Sequence, residues 1–321
     1  MTASLVPPAP PRTPSRPETY EGALAALARA DERIIVLTAE NRAAIRSLPA
    51  RLGPRFMDVG IAEQTMIGVG AGLALRGRIP VMHALAAFLT MRAFEFIRTD
   101  LGIPGLPGKL VGGFAGVLSE ANGPTHQAIE DIALMRMVPG MTVFCPADTF
   151  ELVGALGAII AEPGPAYVRY IDRPPLLPHA PPFTIGRAHV VTRGDDVALL
   201  TYGAMVRECL EAAVLLESAG RSVHLVDVRT LAPFDHDALA EAARRARLIV
   251  TVEDHFAIGG LASIVAESLA ARGLSARLHA INLGRDWFTP ALLPAVLESS
   301  ALTGEHIAQR LLAALASPSS A

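Results

Sequence analysis

The chain has 321 residues, of which 51% are hydrophobic and 18% are charged, and its formal net charge is -3. This length is enough for two domains of ordinary size, and the lack of a basic stripe argues against nucleic acid as a partner. No apolar run reaches the roughly 18 residues that a membrane span needs. The low charge favours a surface partly buried against partners. The two widely spaced cysteines, Cys145 and Cys209, fit a reducing cytoplasm better than a disulfide framework or a metal site.

Residues 1–17 are rich in Pro, Ser and Thr, which predicts a disordered lead-in, and they lack the apolar core of a signal peptide. In residues 18–175, short apolar runs alternate with helical segments, which predicts a first domain built on a parallel sheet with helices on both faces. The predicted strands are Ile34–Thr38, Ile79–His83, Lys109–Gly112, Met141–Phe144 and Ala166–Tyr170. The predicted helices are Tyr20–Ala30, Glu63–Arg76, Phe88–Leu101, Gln127–Met137 and Thr149–Ala161.

The Pro-rich stretch Arg173–Pro182 indicates a linker, which we place at residues 176–183. The alternation restarts in residues 184–321, which predicts a second domain. Its predicted strands are Val197–Tyr202, Val223–Val228, Leu248–Val252 and Arg277–Ile281, and its predicted helices are Val206–Ala219, Asp237–Arg245, Leu261–Arg272 and Gly304–Leu315. The predicted fold class is therefore α/β, with two domains that are each a mainly parallel sheet flanked by helices.

Three glycines, Gly68, Gly70 and Gly72, superficially suggest a dinucleotide-binding fingerprint. Their spacing differs from that fingerprint, and they lie inside a helical pattern instead of at a strand-to-helix turn. We interpret them as small residues that allow close helix packing.

A carboxylate, Glu63, begins an apolar helix rich in small residues, within the segment DVGIAEQ at residues 58–64. One interpretation is that it stabilises the positive end of the helix dipole. The other is functional, because a carboxyl group buried in apolar surroundings has a raised pKa and becomes a proton donor. The spacing of residues leaves both interpretations open.

Two further patterns have both a structural and a functional interpretation. Phe88, Met91 and Phe94 are spaced for one helix face, where they either pack in the core or stack on a flat heterocycle. In the segment NGPTHQ at residues 122–127, Thr125 is a candidate N-cap, while His126 next to a glutamine is a candidate functional group.

Together, in this order and at these distances, the three segments resemble transketolase. DVGIAEQ resembles the family's cofactor-glutamate motif, and AAFLTMRAFEFIRTDL, at residues 86–101, resembles its aromatic pocket. NGPTHQAIEDIALMRMVPGMTVFCPAD, at residues 122–148, resembles its long motif around Thr-His-Gln, and VEDHFAIGGLASIVAESL, at residues 252–269, resembles its C-terminal domain. The resemblance covers residues 16–175 well and the second domain more loosely.

The resemblance implies the pyrimidine-binding and C-terminal domains of a thiamine-diphosphate enzyme. The family's Gly-Asp-Gly segment and later Asn, which hold the diphosphate and metal, have no counterpart in the sequence. We therefore expect a separate N-terminal subunit to supply that site with its Mg²⁺ or Ca²⁺, in an α2β2 heterotetramer, and we expect activity only with that partner.

The resemblance also assigns expected roles to individual residues. Glu63 would hydrogen-bond N1′ of the aminopyrimidine, and His126 would face the substrate for hydrogen bonding or proton transfer. The expected cofactor-binding residues are Glu63, Phe88, Met91, Phe94 and Glu40, and the expected substrate-binding residues are Arg16, Phe114, Asn122, His126 and Arg173. Arg16 and Arg173 would grip a phosphate, with Arg169 as an alternative to Arg173.

Three departures from the family pattern concern the substrate. Phe114 stands where transketolases usually have a histidine, Asn122 where they have an aspartate, and Ala44 near a phosphate-binding serine. The first expectation is transfer of a two-carbon ketol unit from a ketose or ketose phosphate to an aldehyde. The alternatives are a deoxyxylulose-phosphate synthase-like protein or a 2-oxo acid dehydrogenase β-type subunit using pyruvate or another 2-oxo acid, and a non-enzymatic regulatory subunit.

Overall fold

The computed structural model describes residues 19–177, 182–287 and 289–316. Its first half contains α1 (Tyr20–Ala30), β1 (Ile34–Thr38), α2 (Leu48–Leu52), β2 (Phe56–Asp58), α3 (Glu63–Leu75), β3 (Ile79–Leu85), α4 (Phe94–Phe96), β4 (Lys109–Gly113), α5 (Asp131–Arg136), β5 (Thr142–Phe144), α6 (Thr149–Ala161) and β6 (Ala166–Arg169). Its second half contains β7 (His189–Val190), β8 (Val197–Thr201), α7 (Met205–Ser218), β9 (Val223–Asp227), β10 (Thr230–Ala232), α8 (His236–Arg245), β11 (Leu248–Val252), α9 (Leu261–Ala271), β12 (Leu278–Ile281), α10 (Leu293–Ser299) and α11 (Gly304–Ala316).

The strands form two mainly parallel sheets, which confirms the predicted fold class. The first sheet has seven strands in the order β10-β5-β6-β4-β3-β1-β2, and the second has five in the order β12-β11-β8-β9-β7. Only β10 and β7 pair antiparallel with their neighbours among these strands of the described chain. The inner strands are almost continuously apolar because helices cover both faces of each sheet. The short strand β10 comes from the second half of the chain and pairs with β5 at the edge of the first sheet. The two halves are therefore joined by strand pairing as well as by the linker.

Two of the predicted helices differ from their predicted bounds by more than one residue. Instead of one helix over Phe88–Leu101, α4 lies between wider π-helical turns at Phe88–Arg92 and Ile97–Gly102. Such turns are frequent at functional sites, and a Thr90 hydroxyl that donates to the Ala86 carbonyl (2.8 Å) accompanies the first one. The helix predicted from Gln127 begins only at Asp131, because a 3₁₀ segment containing Pro124 precedes it.

Of the three glycines predicted to allow close helix packing, Gly70 alone is confirmed in that role. A Cβ atom there would lie 2.4 Å from Sδ of Met82, so any larger residue would force the buried Met82 side chain to shift where α3 packs on β3. Gly68 and Gly72 face outward on the same helix. The packing holds the first turn of α3, and with it Glu63, at the carboxyl end of the sheet.

Candidate active site

A cavity of about 370 Å³ lies at the carboxyl edge of the first sheet. Its lining includes Asn41, His83, Phe114, Tyr170 and Arg173, which lie at or just beyond the ends of β1, β3, β4 and β6. Open α/β sheets bind ligands outside the carboxyl ends of their strands. The fold therefore places this cavity where a ligand site is expected, and α3 starts at the same edge, after β2.

Glu63 is buried at the first position of α3, with 2% of its surface exposed. Its Oε2 accepts a hydrogen bond from Nη1 of Arg92 at 2.8 Å, and the Arg92 side chain is 43% exposed. The guanidinium carbon of Arg92 also lies 4.3 Å from the centre of the Phe88 ring. Sequence reasoning missed Arg92, because no basic residue stands near Glu63 in the chain.

Phe88 and His126 continue this line of contacts. The Phe88 ring packs against a small cluster of alanines and meets the His126 ring edge to face at 5.2 Å. Nδ1 of His126 is 2.9 Å from the Thr125 hydroxyl. The structure thus brings Glu63, Arg92, Phe88 and His126 into one connected group.

Met91 and Phe94, which share the predicted helix face with Phe88, lie outside this group. Phe94 packs against the larger hydrophobic core, as the structural interpretation of the stripe expects. Met91 is 37% exposed on the surface of the π-helical turn. The contacts in the free chain therefore favour Phe88 as the ring platform, while roles for Met91 and Phe94 stay predictions.

Hydrogen bonds from the Gln127 side chain stabilise the loop that carries Phe114 and His126. The buried Gln127 side chain donates from Nε2 to the carbonyls of Val117 (3.4 Å) and Glu120 (3.2 Å). Phe114 has a left-handed backbone, with φ of 57°, is 43% exposed and lines the cavity. Gln127 therefore supports the loop that presents two predicted substrate residues.

Asn122 contacts the same loop, since its Nδ2 donates to the Ser119 hydroxyl at 3.2 Å. Its side chain is exposed and is absent from the described lining of the cavity. Contact of Asn122 with a substrate therefore stays a prediction.

Arg169 joins the two halves of the chain in a buried ionic network. It donates two hydrogen bonds to Asp131 (2.9 and 2.6 Å) and one to Asp254 (2.6 Å), and the Tyr167 hydroxyl donates to Asp131 at 2.6 Å. Burial acts to raise the pKa of Asp131, but the charge and hydrogen bonds of Arg169 outweigh it and leave that pKa below its usual value. Burial raises the pKa of Asp254 despite Arg169.

This network corrects the suggestion that Arg169 replaces Arg173 as a phosphate ligand. Arg169 is 6% exposed and its guanidinium is bound by two carboxylates, so it is not available to a substrate. Arg173 instead lines the cavity, and its backbone is fixed by reciprocal 3.1 Å hydrogen bonds with Thr149.

The remaining predicted residues have different outcomes. Arg16 lies outside the described residues. Glu40 has a left-handed backbone (φ of 67°) and an exposed side chain, and its backbone N–H donates to Asp58 at 3.2 Å. Asp58 also accepts from the backbone N–H of Gly60 at 3.0 Å, so it ties the turn after β1 to the loop before α3. A contact between Glu40 and a cofactor stays a prediction, and Ala44 lines the cavity.

One buried polar group at the cavity, His83, was not singled out in the sequence. It ends the predicted strand run Ile79–His83, where its neighbours are apolar. It is 3% exposed and hydrogen-bonded to the Tyr20 hydroxyl at 2.8 Å. No pattern in the sequence distinguishes this histidine from an ordinary core residue.

In the described part of the chain, no helix is long and apolar enough to cross a membrane. No group of three or more His, Cys, Asp or Glu side chains within it is arranged to hold a metal ion.

Two family models match the chain. The model for the transketolase pyrimidine-binding domain covers residues 14–173, and the model for the transketolase C-terminal domain covers residues 186–307. The chain belongs to the transketolase family, which confirms the resemblance seen in its motifs.

Individual relatives agree with this assignment. The chain is 39% identical to the 6-deoxy-6-sulfo-D-fructose transketolase subunit SqwH of Clostridium sp. (strain MSTE9), over 78% of this chain and 80% of that protein. It is 35% identical to the 1-deoxy-D-xylulose-5-phosphate synthase of Synechococcus sp. (strain JA-2-3B'a(2-13)), over 97% of this chain but only 49% of that protein. A split-gene transketolase, solved as an inactive beta4 tetramer, superposes with a TM-score of 0.82 at 35% identity, covering 92% of this chain and 96% of that one.

Proposed function

We propose that the chain is the C-terminal subunit of a split, thiamine-diphosphate-dependent transketolase, which transfers a two-carbon ketol unit from a ketose or ketose phosphate to an aldehyde. The observation that carries this proposal is the buried carboxyl of Glu63, which Arg92 connects to the Phe88 ring. The relative named as a transketolase subunit and the split-gene structure support the split arrangement.

The residues around Glu63 fit the aminopyrimidine end of the cofactor. A buried carboxyl group needs a hydrogen-bond donor, and in the free chain the only described donor to the Glu63 carboxyl is the half-exposed Arg92. When bound, thiamine diphosphate supplies the electron sink for cleaving a carbon–carbon bond next to a carbonyl group. Glu63 would share a proton with N1′ of the pyrimidine, and Phe88 would pack on the ring.

His126 and the residues that line the cavity would bind the substrate. The His126 ring contacts Phe88 and Thr125 in the loop that also presents Phe114, which supports our proposal that it donates or accepts a proton at a substrate oxygen. The rest of the donor chain would extend into the 370 Å³ cavity toward Arg173. Arg16 and Asn122 are the further substrate contacts that we propose.

A partner subunit would complete the site. The sequence has no Gly-Asp-Gly segment for a diphosphate-bound metal, so the proposed N-terminal partner holds the diphosphate with Mg²⁺ or Ca²⁺. We propose a cytoplasmic α2β2 heterotetramer in which residues 18–175 and 184–321 of this chain form the pyrimidine-binding and C-terminal domains.

The test is a donor comparison with the assembled complex. The complex is supplied with cofactor, Mg²⁺ and an aldehyde acceptor, and product formation is measured with a ketose phosphate, a sulfonated ketose or pyruvate as donor. Turnover of a ketose donor supports ketol transfer. Turnover of pyruvate alone overturns it in favour of the deoxyxylulose-phosphate synthase-like alternative, to which the 35% identical synthase points.

A further inference from the structure

The turn that presents Phe114 to the cavity is strained at one residue and buried beyond it. Phe114 has a left-handed backbone, which a bulky side chain rarely adopts, and the next residues, Ala115, Gly116 and Val117, are all buried. Residues in such sparsely populated conformations persist only where their surroundings fix them. The groups packed around this turn therefore determine where Phe114 lies on the cavity wall.

One of these groups, Asp254, comes from the second half of the chain. It follows β11 by two residues, is 2% exposed, and its Oδ1 accepts a hydrogen bond from Nη1 of Arg169 at 2.6 Å. Its Oδ2 faces the turn, since a Cβ atom at Gly116 would lie only 1.6 Å from it. Burial raises the pKa of this carboxylate, while Arg169 and the backbone N–H of Val117 act to lower it. The two oxygens of Asp254 therefore have different neighbours, a guanidinium on one side and the backbone of the turn on the other.

Backbone hydrogen bonds tie the same turn to the end of its loop. The Gly116 N–H donates to the Ala128 carbonyl at 2.8 Å, and the Phe256 N–H of the second half donates to the Ile129 carbonyl at 2.9 Å. The Phe256 side chain also packs against the hydrophobic cluster that contains Ile129. The second half of the chain therefore contacts both ends of this loop.

From these contacts we propose that Asp254 is a positioning residue for donor binding, which fixes the buried turn at Gly116 and, through it, the position of Phe114 on the cavity wall. The inference rests on the proposed function, in which Phe114 contacts the donor. It gives the second half of the chain a role in the site, although the cavity itself is lined by residues of the first half.

The contact should act on donor binding and much less on turnover. Glu63 begins α3 and Phe88 begins the π-helical turn, so neither lies on the loop that Asp254 contacts. His126 lies farther along that loop and has its own contact with the Phe88 ring, at 5.2 Å. A displaced Phe114 would therefore weaken donor binding and leave the residues that we propose for the chemistry in place.

The main test is the steady-state kinetics of Asp254→Asn in the assembled complex, with cofactor, Mg²⁺, saturating glycolaldehyde as acceptor and D-fructose 6-phosphate as the varied donor. An amide has one oxygen, and if Arg169 binds it, the NH₂ group faces the Val117 N–H, donor against donor. We expect the donor KM to rise about tenfold and kcat to change by less than about threefold. A purely structural loss would lower the amount of active complex, and thus kcat, at an unchanged KM, and that result would overturn the inference.

Glu253→Gln is the matched control for this variant. Glu253 is the preceding residue and is also buried, but its carboxyl group accepts hydrogen bonds from the Leu261 and Ala262 N–H groups of its own half. This variant should leave the donor KM unchanged. If Glu253→Gln and Asp254→Asn raise the KM alike, the effect belongs to the second half as a whole and the inference fails.

Gly116→Ala tests the same contact from the side of the turn and removes no partner of Arg169. Its Cβ would push the turn away from Asp254, so the donor KM should rise as it does in Asp254→Asn. Gly273→Ala is the control for backbone strain, because Gly273 has a similar φ of 61° and open space for a Cβ atom among the described residues. Equal donor KM values for the two glycine variants would contradict the inference.

Hydrogen exchange of the assembled complex, followed by mass spectrometry, needs no turnover. In the unmodified complex the peptide with Gly116 and Val117 should exchange slowly, and in Asp254→Asn its exchange should become about tenfold faster while α3 is unchanged. Rapid exchange of this peptide in the unmodified complex would overturn the inference whether or not the variants assemble. Equal acceleration in α3 would show a general loosening and would also overturn it.

Failure of the proposed function would look different. In that case the unmodified complex turns over no ketose donor, while hydrogen exchange still reports whether Asp254 fixes the turn. A complex that turns over the ketose with the same donor KM before and after Asp254→Asn would refute the inference alone.

Discussion

The Glu63 carboxylate and the Arg92 guanidinium, 29 positions apart in the chain, meet in a hydrogen-bonded ion pair of 2.8 Å. Arg92 reaches Glu63 across the face of Phe88, with its guanidinium carbon 4.3 Å from the ring centre. A planar cation therefore donates to the buried carboxyl and stacks on the aromatic ring at once. These are the two contacts that the aminopyrimidine would make in the proposed function, so Arg92 is expected to shift when the cofactor binds.

Arg92→Ala should destabilise the free chain, because it leaves the buried Glu63 without its described donor. The Arg92 side chain is 43% exposed, and solvent screening limits the expected loss to about 1–2 kcal/mol. Urea denaturation of the chain without its partner measures it. Arg98→Ala is the control, since Arg98 is exposed in the same helical region and forms no ion pair within the described residues. Equal stability of the two variants would mean that the pair contributes nothing.

Glu63→Gln should lower kcat of the assembled complex by about 100-fold or more, because an amide cannot exchange a proton with the cofactor. The amide oxygen still accepts a hydrogen bond from Arg92, so the variant should fold and assemble. Steady-state turnover, with cofactor binding measured in parallel, tests this expectation. Glu95→Gln, an exposed carboxylate in α4, is the control. An unchanged kcat for Glu63→Gln would favour the regulatory-subunit alternative.

The sequence could predict the sheets and the position of Glu63 at the start of a helix, but not the hydrogen bond between Glu63 and Arg92. The strands β1, β8 and β11 are buried apolar runs, and their observed bounds agree with the predicted ones to within one residue. The contact of Arg92 with Glu63 depends on the π-helical turn at Phe88–Arg92, and helical periodicity does not reveal such a turn.

The two arginines near the end of β6 also depend on contacts between residues that are far apart in the chain. Arg169 and Arg173 are four positions apart, and the sequence left open which one meets a substrate. The choice depends on Asp131 and on Asp254, which is 85 positions away from Arg169 and is brought close only by the packing of the two halves. Strand β10 was missed because three residues are too short for a periodic pattern.

Arg169→Met should destabilise the chain by about 3–5 kcal/mol, because Asp131 and Asp254 would remain buried without their shared cation. Arg169→Lys should restore only part of this loss, since an ammonium group cannot make the bidentate contact with Asp131. Chemical denaturation measures both. Arg193→Ala, which removes the exposed ion pair with Glu241, should cost less than about 1 kcal/mol. A similarly small cost for Arg169→Met would show that the network does not hold the halves together.

The stability of the second half should depend on pH through Glu253. This carboxyl is fully buried after β11 and accepts hydrogen bonds from the backbone N–H groups of Leu261 (2.6 Å) and Ala262 (3.0 Å) at the start of α9. Burial raises its pKa to about 7, against the lowering effect of these two donors. Because the folded-state pKa exceeds the unfolded value, the stability contributed by the protonated form is complete below about pH 4.5 and is lost as the pH rises through about 7, by at most about 3 kcal/mol.

Glu253→Gln removes the titration but keeps a hydrogen-bond acceptor toward the start of α9. The variant should be less stable than the unmodified chain at pH 5, where it has one acceptor oxygen fewer, and the difference should shrink or reverse by pH 8 because the unmodified chain then buries a charge. Denaturation curves of both proteins at several pH values in this range measure the difference. Glu217→Gln on α7, an exposed carboxylate with no ion pair within the described residues, should show no such trend. A stability difference that is constant from pH 5 to pH 8 would mean that Glu253 does not change its protonation on unfolding.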